Sequence, residues 1–146
     1  MDILSNLSKN IKEMMDVRGI NAPALANILG CNRSTLTRYT AGTSTPNLEV
    51  FIKLLQYFGV SADVMLGLKE YVTETEFLEA LPFAERLLCV LKEYGVSQYA
   101  LVEKTGLSWA LMYKWTHNQG LPSVENLAKI TQALDCRVDY LLGRIR

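Results

Sequence analysis

Apolar residues recur at helical spacing from the start of the chain. Leu4, Leu7, Ile11, Met14 and Met15 fall on one face of a helix that Gly19 stops. Asn21 can cap a second helix, with Pro23 tolerated in its first turn and Gly30 ending it. A third helix runs from about Arg33 to Ala41 behind Asn32, and Gly42 to Pro46 breaks it. A fourth follows Asn47, turns Leu48, Phe51, Ile52, Leu55 and Phe58 inward, and ends at Gly59. Ser61 caps a last short helix from Ala62 to Leu66. The remainder repeats the plan, with Ser97, Ser108 and Ser123 as caps and Gly95 and Gly106 as stops. Nothing alternates with period two for long enough to predict a strand, so the pattern predicts an all-α protein.

The repetition is visible in the residues themselves. Sliding the chain by 76 residues aligns 7–70 with 83–146 without a gap, and 12 of the 64 positions are identical. The matches include Gly19 with Gly95, Gly30 with Gly106, Pro46 with Pro122, and Asp63-x-x-Leu66-Gly67 with Asp139-x-x-Leu142-Gly143. At such punctuation residues backbone geometry dictates identity. The expected organisation is a first domain over 1–69, a linker over 70–82 and a second, divergent domain over 83–146. Thr73-Glu74-Thr75-Glu76 ahead of Phe77-Leu78-Glu79-Ala80-Leu81 predicts that the linker is partly helical, broken at Pro82. It is not rich in Gly or Ser, which predicts a fixed relation between the copies.

In each copy the second and third helices share one constellation. Ala26, Gly30, Leu36 and Tyr39 stand at the spacing that two helices need to cross at 90–120° through a short turn. The small residue permits close approach, glycine starts the turn, and two apolar residues three apart pin the third helix by one face. Its opposite face leaves Arg33, Ser34, Thr37 and Arg38 outward. In the second copy the frame reads Val102, Gly106, Met112 and Trp115.

Both copies resemble the helix-turn-helix domain of the phage repressor/Cro family, the xenobiotic-response-element-like group of bacterial regulators. In the second copy the likeness lies in Thr105-Gly106-Leu107-Ser108, Met112-Tyr113-Lys114-Trp115, Leu121-Pro122-Ser123-Val124-Glu125-Asn126-Leu127 and Val138-Asp139-Tyr140-Leu141-Leu142-Gly143. In the first it lies in Leu25-Ala26, Ile28-Leu29-Gly30, Ser34-Thr35-Leu36-Thr37-Arg38-Tyr39, Ala41-Gly42, Pro46 and Asp63-x-x-Leu66-Gly67. The resemblance implies two tandem five-helix, lambda-repressor-like domains and a regulator, repressor or activator, that binds double-stranded DNA. It implies a third helix laid in the major groove, with Asn32, Arg33, Ser34, Thr37 and Arg38 as candidate base or phosphate contacts. Thr43 and Ser44 are candidate phosphate contacts in the loop that follows. Arginine suits guanine because its fork donates to O6 and N7 together.

Composition agrees once it is read locally. The chain has 146 residues, 49% apolar and 21% charged, with 15 basic and 15 acidic side chains. A uniformly basic coat is excluded. Between Asp16 and Glu49, however, there is no acid, while Arg18, Arg33 and Arg38 give a positive patch. The residues Met1-Asp2-Ile3-Leu4-Ser5-Asn6 lack a signal-peptide pattern, and no apolar run approaches the ~20 residues of a membrane span. Cys31, Cys89 and Cys136 read as reduced thiols, so a cytoplasmic protein is expected. The family position of Cys31 and Cys136 implies core thiols. His117 has no Cys companion, and no nucleotide-binding, zinc-protease or nucleophile-elbow motif occurs. Neither a catalytic role nor a cofactor nor a metal is expected. Asp63 and Asp139 read as structural carboxylates near a helix start.

The second copy departs from the family pattern on its outer face. Trp109 and Ala110 stand where the first copy has Arg33 and Ser34, and Tyr113 replaces Thr37. Gln98, Ser108 and Lys114, with His117, remain candidate DNA contacts. Conversely, Ala22 replaces the glutamine with which many family members open the second helix. Trp109, Leu111 and Tyr113 form a candidate interface, and exposed apolar patches usually meet something. They could pack on the first copy, form a homodimer, bind another protein or meet DNA through thymine methyls. Because a domain of this size makes few contacts, a homodimer on paired half-sites is expected. The rival expectation is an interaction module, of antitoxin or anti-repressor type, that keeps the fold.

Overall fold

The computed structural model describes residues 2–146, which form ten α-helices and no strand. They fall into two compact units, Met1–Phe77 and Leu78–Arg146. The first contains α1 (Ile3–Arg18), α2 (Ala22–Leu29), α3 (Arg33–Ala41), α4 (Leu48–Phe58) and α5 (Ala62–Met65). The second contains α6 (Phe83–Tyr94), α7 (Gln98–Thr105), α8 (Trp109–Thr116), α9 (Val124–Leu134) and α10 (Val138–Leu141). No described helix is long and apolar enough to cross a membrane.

Local chemistry sets most of the boundaries. Asn21, Asn32, Asn47, Ser61, Ser97, Ser108 and Ser123 each accept the backbone N–H three residues on, as N-caps. Each such cap contributes about 1 kcal/mol. At two positions where the first unit ends a helix with a left-handed glycine, Gly42 and Gly59, the second has Asn118 at φ 57° and Asp135 at φ 52°. Both are among the few non-glycine types that tolerate this region through their short polar side chains.

Each unit packs its helices around its own core, with Leu7, Ile11, Leu25, Leu36 and Phe51 in the first and Leu87, Leu101, Met112, Trp115 and Leu127 in the second. Met14 and Met15 are only half-buried, at the edge of the first core.

The short terminal helix of each unit leaves carbonyls without intrahelical donors, and the two copies meet this need with unlike residues. In the first unit the Asn10 amide donates to Val64 O and Met65 O, and the Asn6 amide to Leu66 O. In the second, the Arg86 guanidinium donates to Tyr140 O and Leu141 O. There the backbone N–H of Leu81 donates to Leu142 O. The side chain of Asn6 crosses so close to Gly67 that a Cβ there would collide with the Asn6 amide, and Gly67 itself is left-handed at φ 74°. The recurrent Leu-Gly pair is therefore a passage for this carbonyl contact.

The linker contradicts the expectation of a partly helical segment, since residues 70–82 contain no helix. The Thr73 hydroxyl turns to Glu74 rather than capping a turn. The N–H groups of Leu78 and Leu81 donate instead to Arg144 O (2.8 Å) and Leu142 O (3.0 Å) near the end of the chain. A long-range pairing thus supplies the bonds that a helix would have made locally, and α6 begins directly behind Pro82.

Candidate nucleic-acid interface

The turn between α2 and α3 forms as its residues require. Gly30 is left-handed at φ 72°, with its N–H on the Ala26 and Asn27 carbonyls, and Cys31 N–H returns to Ala26 O. This double closure ends α2 and starts the turn. Ala26, Leu36 and Tyr39 are buried, so α3 is held against the unit by one side. The buried Ser8 hydroxyl donates to Thr40 O at 2.6 Å and fastens the far end of α3 to α1.

The other side of α3 is open. Arg33, Ser34, Thr37 and Arg38 are exposed, and the first three line one open depression. Neither arginine has an ion-pair partner among the described residues. Asn32 is exposed, but its carbonyl is committed to the cap: Oδ1 accepts from Thr35 N–H and the Ser34 hydroxyl, both at 2.8 Å. Only its NH₂ group is left to donate outward. Thr37 donates to Arg33 O, and the Arg38 guanidinium reaches back to Thr35 Oγ1 at 3.4 Å. Thr43 returns both its N–H and its hydroxyl to Arg38 O, which shapes the loop behind the helix, and Ser44 is half-buried beside it.

Arg18 does not join this surface. Its guanidinium donates to Tyr57 O and Phe58 O at the end of α4 and lies over both rings, so it serves that helix terminus. A cation that sequence reasoning missed is Lys53 of α4. Its Nζ would stand 3.5 Å from a Cβ on Gly30, at the turn itself. It shares a period with Lys129 in the second copy, a signal that could have drawn attention to it. Cys31, in the same turn, is half-buried rather than in the core, and burial pushes its thiol above the usual range.

In the second unit the corresponding face carries rings. Trp109 and Tyr113 are 50% and 54% exposed, while Leu111 is half-buried, so Leu111 contributes less than the sequence pattern suggests. Two residues absent from the expected trio complete the column. Tyr99 of α7, 62% exposed, sets its ring 6.3 Å from that of Trp109. The His117 ring stacks on Tyr113 at 3.9 Å, and its Nδ1 lies 2.8 Å from Tyr113 O. His117 at four residues past Tyr113 was a legible helical pair, whereas Tyr99 comes from another helix. Of the polar candidates, Lys114 is exposed, Gln98 is half-buried, and the Ser108 hydroxyl is engaged as the α8 cap. Val102, in the place of Ala26, is half-buried.

Comparison with known proteins falls on the same two segments. Residues 11–65 match a helix-turn-helix family model. Residues 86–146 match the model of the Cro/C1-type HTH DNA-binding domain. Over 60 residues the chain is 37% identical to the cryptic phage CTXphi transcriptional repressor RstR of Vibrio cholerae serotype O1, covering 41% of this chain and 54% of that protein. Over 113 residues it is 28% identical to the antitoxin PezA of Streptococcus pneumoniae serotype 4, covering 73% of this chain and 72% of that protein. The chain therefore spans about half the length of the repressor that it matches. No solved structure matches it significantly.

Proposed function

Since the chain belongs to the phage repressor/Cro-type helix-turn-helix family, we propose that it is a sequence-specific, double-stranded-DNA-binding regulator of transcription that reads the major groove with α3. The observation that carries this reading is the outward row of Arg33, Ser34, Thr37 and Arg38 opposite buried Leu36 and Tyr39. It lies in a stretch from residue 17 to 48 without a carboxylate. Arg33, in the first turn of α3, reaches base edges and suits guanine. Ser34, Thr37 and the Asn32 amide serve bases or phosphates, and Arg38, Thr43, Ser44 and the loop amides hold the backbone. Repression is the favoured direction, since a repressor is among the relatives.

The second unit serves assembly, with Gln98, Ser108 and Lys114 as accessory contacts at most. Its face and that of the first unit are unequal, so one chain cannot read a palindrome with both. A homodimer placing two α3 helices on half-sites about 34 Å apart meets that need. The site of action is the cytoplasm.

A gel shift on duplex DNA with a salt titration tests the reading. Affinity should fall steeply with salt, in proportion to the phosphates neutralised. Arg33→Ala and Arg38→Ala should each lose ~1–3 kcal/mol on the cognate site, and Lys114→Ala much less. Equal loss from Lys114→Ala would make the second unit a reader too, and binding indifferent to salt would remove the proposal.

One observation favours a second reading. The ring column on α8 and the likeness to an antitoxin over 113 residues suit an interaction module that keeps the fold and binds a protein. Such a module would show no salt-sensitive affinity for duplex.

A further inference from the structure

The hydroxyl protons on the outward row of α3 are already engaged within the chain. The Thr37 hydroxyl donates to Arg33 O at 2.9 Å, and the Ser34 hydroxyl donates to Asn32 Oδ1 at 2.8 Å. A phosphate oxygen only accepts, so Thr37 has no proton left to offer one. Its bond also draws the oxygen back onto the preceding turn of backbone. Thr37 is exposed all the same, and the group left for it to present outward is its methyl. The depression that it lines with Arg33 and Ser34 is walled chiefly by carbon. An apolar spot is thus set one helical turn from Arg33, in a row whose other outward groups, the Asn32 amide and the two guanidiniums, are donors.

We infer that Thr37 reads the C5-methyl group of a pyrimidine, next to the guanine taken by Arg33. This deepens the major-groove reading proposed above and rests on it. The C5-methyl of thymine is the apolar feature that base edges display in the major groove, and a threonine methyl is among its usual partners. Residues four apart on a helix lie ~6 Å apart along its axis, which spans about two base-pair steps. The guanidinium and the methyl therefore address neighbouring base pairs. 5-Methylcytosine carries the same methyl on the same ring atom. Where a C·G pair takes the place of that T·A pair, binding responds to methylation of the cytosine. A threonine that merely held a phosphate would be blind to that mark.

The test starts from duplexes that the full chain selects out of a random library, with affinity measured by gel shift at one fixed salt concentration. Each thymine in turn is replaced by deoxyuridine, which lacks only the methyl. At one thymine, within about two base pairs of the guanine whose identity Arg33→Ala ignores, the parent chain should lose about 3- to 5-fold, the worth of one buried methyl. Thr37→Ser keeps the hydroxyl and drops the methyl, so it should bind both duplexes as weakly as the parent binds the deoxyuridine one. Thr37→Val keeps a methyl and drops the hydroxyl, so it should still tell them apart. With a C·G pair at that position the parent should bind more weakly, and 5-methylcytosine should recover about 3- to 5-fold. Circular dichroism melting checks that both variants keep their fold. The inference is overturned by the lack of a methyl-sensitive thymine in that span, by a Thr37→Ser chain that still senses the methyl, or by cytosine methylation without effect. A loss confined to Thr37→Val also overturns it, because the oxygen would then be the reading group, accepting from an adenine or cytosine amino group. In each of these cases salt-sensitive, sequence-selective binding survives and the major-groove reading stands. A library that enriches no sequence removes both.

Discussion

The guanidinium of Arg144 lies 2.6 Å from the carboxylate of Asp139, and both side chains are buried. Arg137 stands 3.5 Å from the other carboxylate oxygen. The pair locks the last residues of the chain to the start of α10. The aligned residues of the first unit are Asp63, also buried, and Leu68. Both units share the backbone part of the arrangement, with Leu68 N–H on Asp63 O and Arg144 N–H on Asp139 O.

Removing one member of a buried pair leaves the other charge without compensation, which typically costs 3–5 kcal/mol. Arg144→Met should therefore destabilise the second unit by about 3 kcal/mol, with Arg137 remaining close enough to keep the loss at the low end. Both tryptophans, Trp109 and Trp115, lie in the second unit. Urea unfolding followed by their fluorescence reads this unit alone, and an unchanged midpoint would show that the pair contributes no net stability.

Arg86 in the second unit does the work of Asn10 in the first, since each donates to the two equivalent carbonyls at the end of the short terminal helix. Arg86 also lies over the Tyr140 ring. Arg86→Met keeps the aliphatic stem and removes the donors, so ~1–3 kcal/mol should be lost from the second unit. Tryptophan-detected unfolding should shift, while DNA affinity at full folding should not. A loss of affinity with no change in stability would contradict this assignment.

The parts of the fold that could be read from the sequence are those set by neighbours within four residues. Asn32 and Ser108 announced helix starts because a short oxygen-bearing side chain three residues ahead of an N–H has little else to do, and Gly30 announced a stop through its left-handed turn. The outward set Arg33, Ser34, Thr37 and Arg38 followed from helical period alone. What escaped was long-range. Arg18 looked like part of a basic patch, but its partners are 39 and 40 residues away. The linker looked helical by its capping pattern, yet the N–H groups of Leu78 and Leu81 pair with the other end of the second unit. Tyr99 joins Trp109 only because two helices meet, and Asn10 and Arg86 share a role without sharing any chemistry that an alignment would flag.

Burial raises the Cys31 thiol above its ordinary range, whereas Cys89 lies exposed on α6. The thiolate is the reacting species, so a raised pKa leaves less of it at neutral pH. Iodoacetamide at pH 7.5 should modify Cys89 well before Cys31. The Cys31 rate should keep climbing with pH beyond the point at which an ordinary thiol levels off. Because the neutral thiol is the form that the fold favours, any stability it contributes is present at low pH and is lost as pH rises past the unfolded value. Peptide mapping after timed alkylation checks the order, and early modification of Cys31 would contradict it.

Asn32 holds two offices that one substitution can separate. Its Oδ1 caps α3, and its NH₂ group faces outward beside Arg33 and Ser34. Asn32→Asp keeps the capping oxygen and adds a negative charge at the positive end of the helix, so thermal stability should hold or rise by a few tenths of a kcal/mol. The same change replaces a donor with a carboxylate on the surface proposed to meet phosphates and base edges. Duplex affinity should then fall by ~10-fold or more as an anion is brought to a polyanion, and Asn32→Ser, a neutral cap, should lose less. If Asn32→Asp melts at the parent temperature and still binds duplex at parent affinity, the start of α3 does not face DNA.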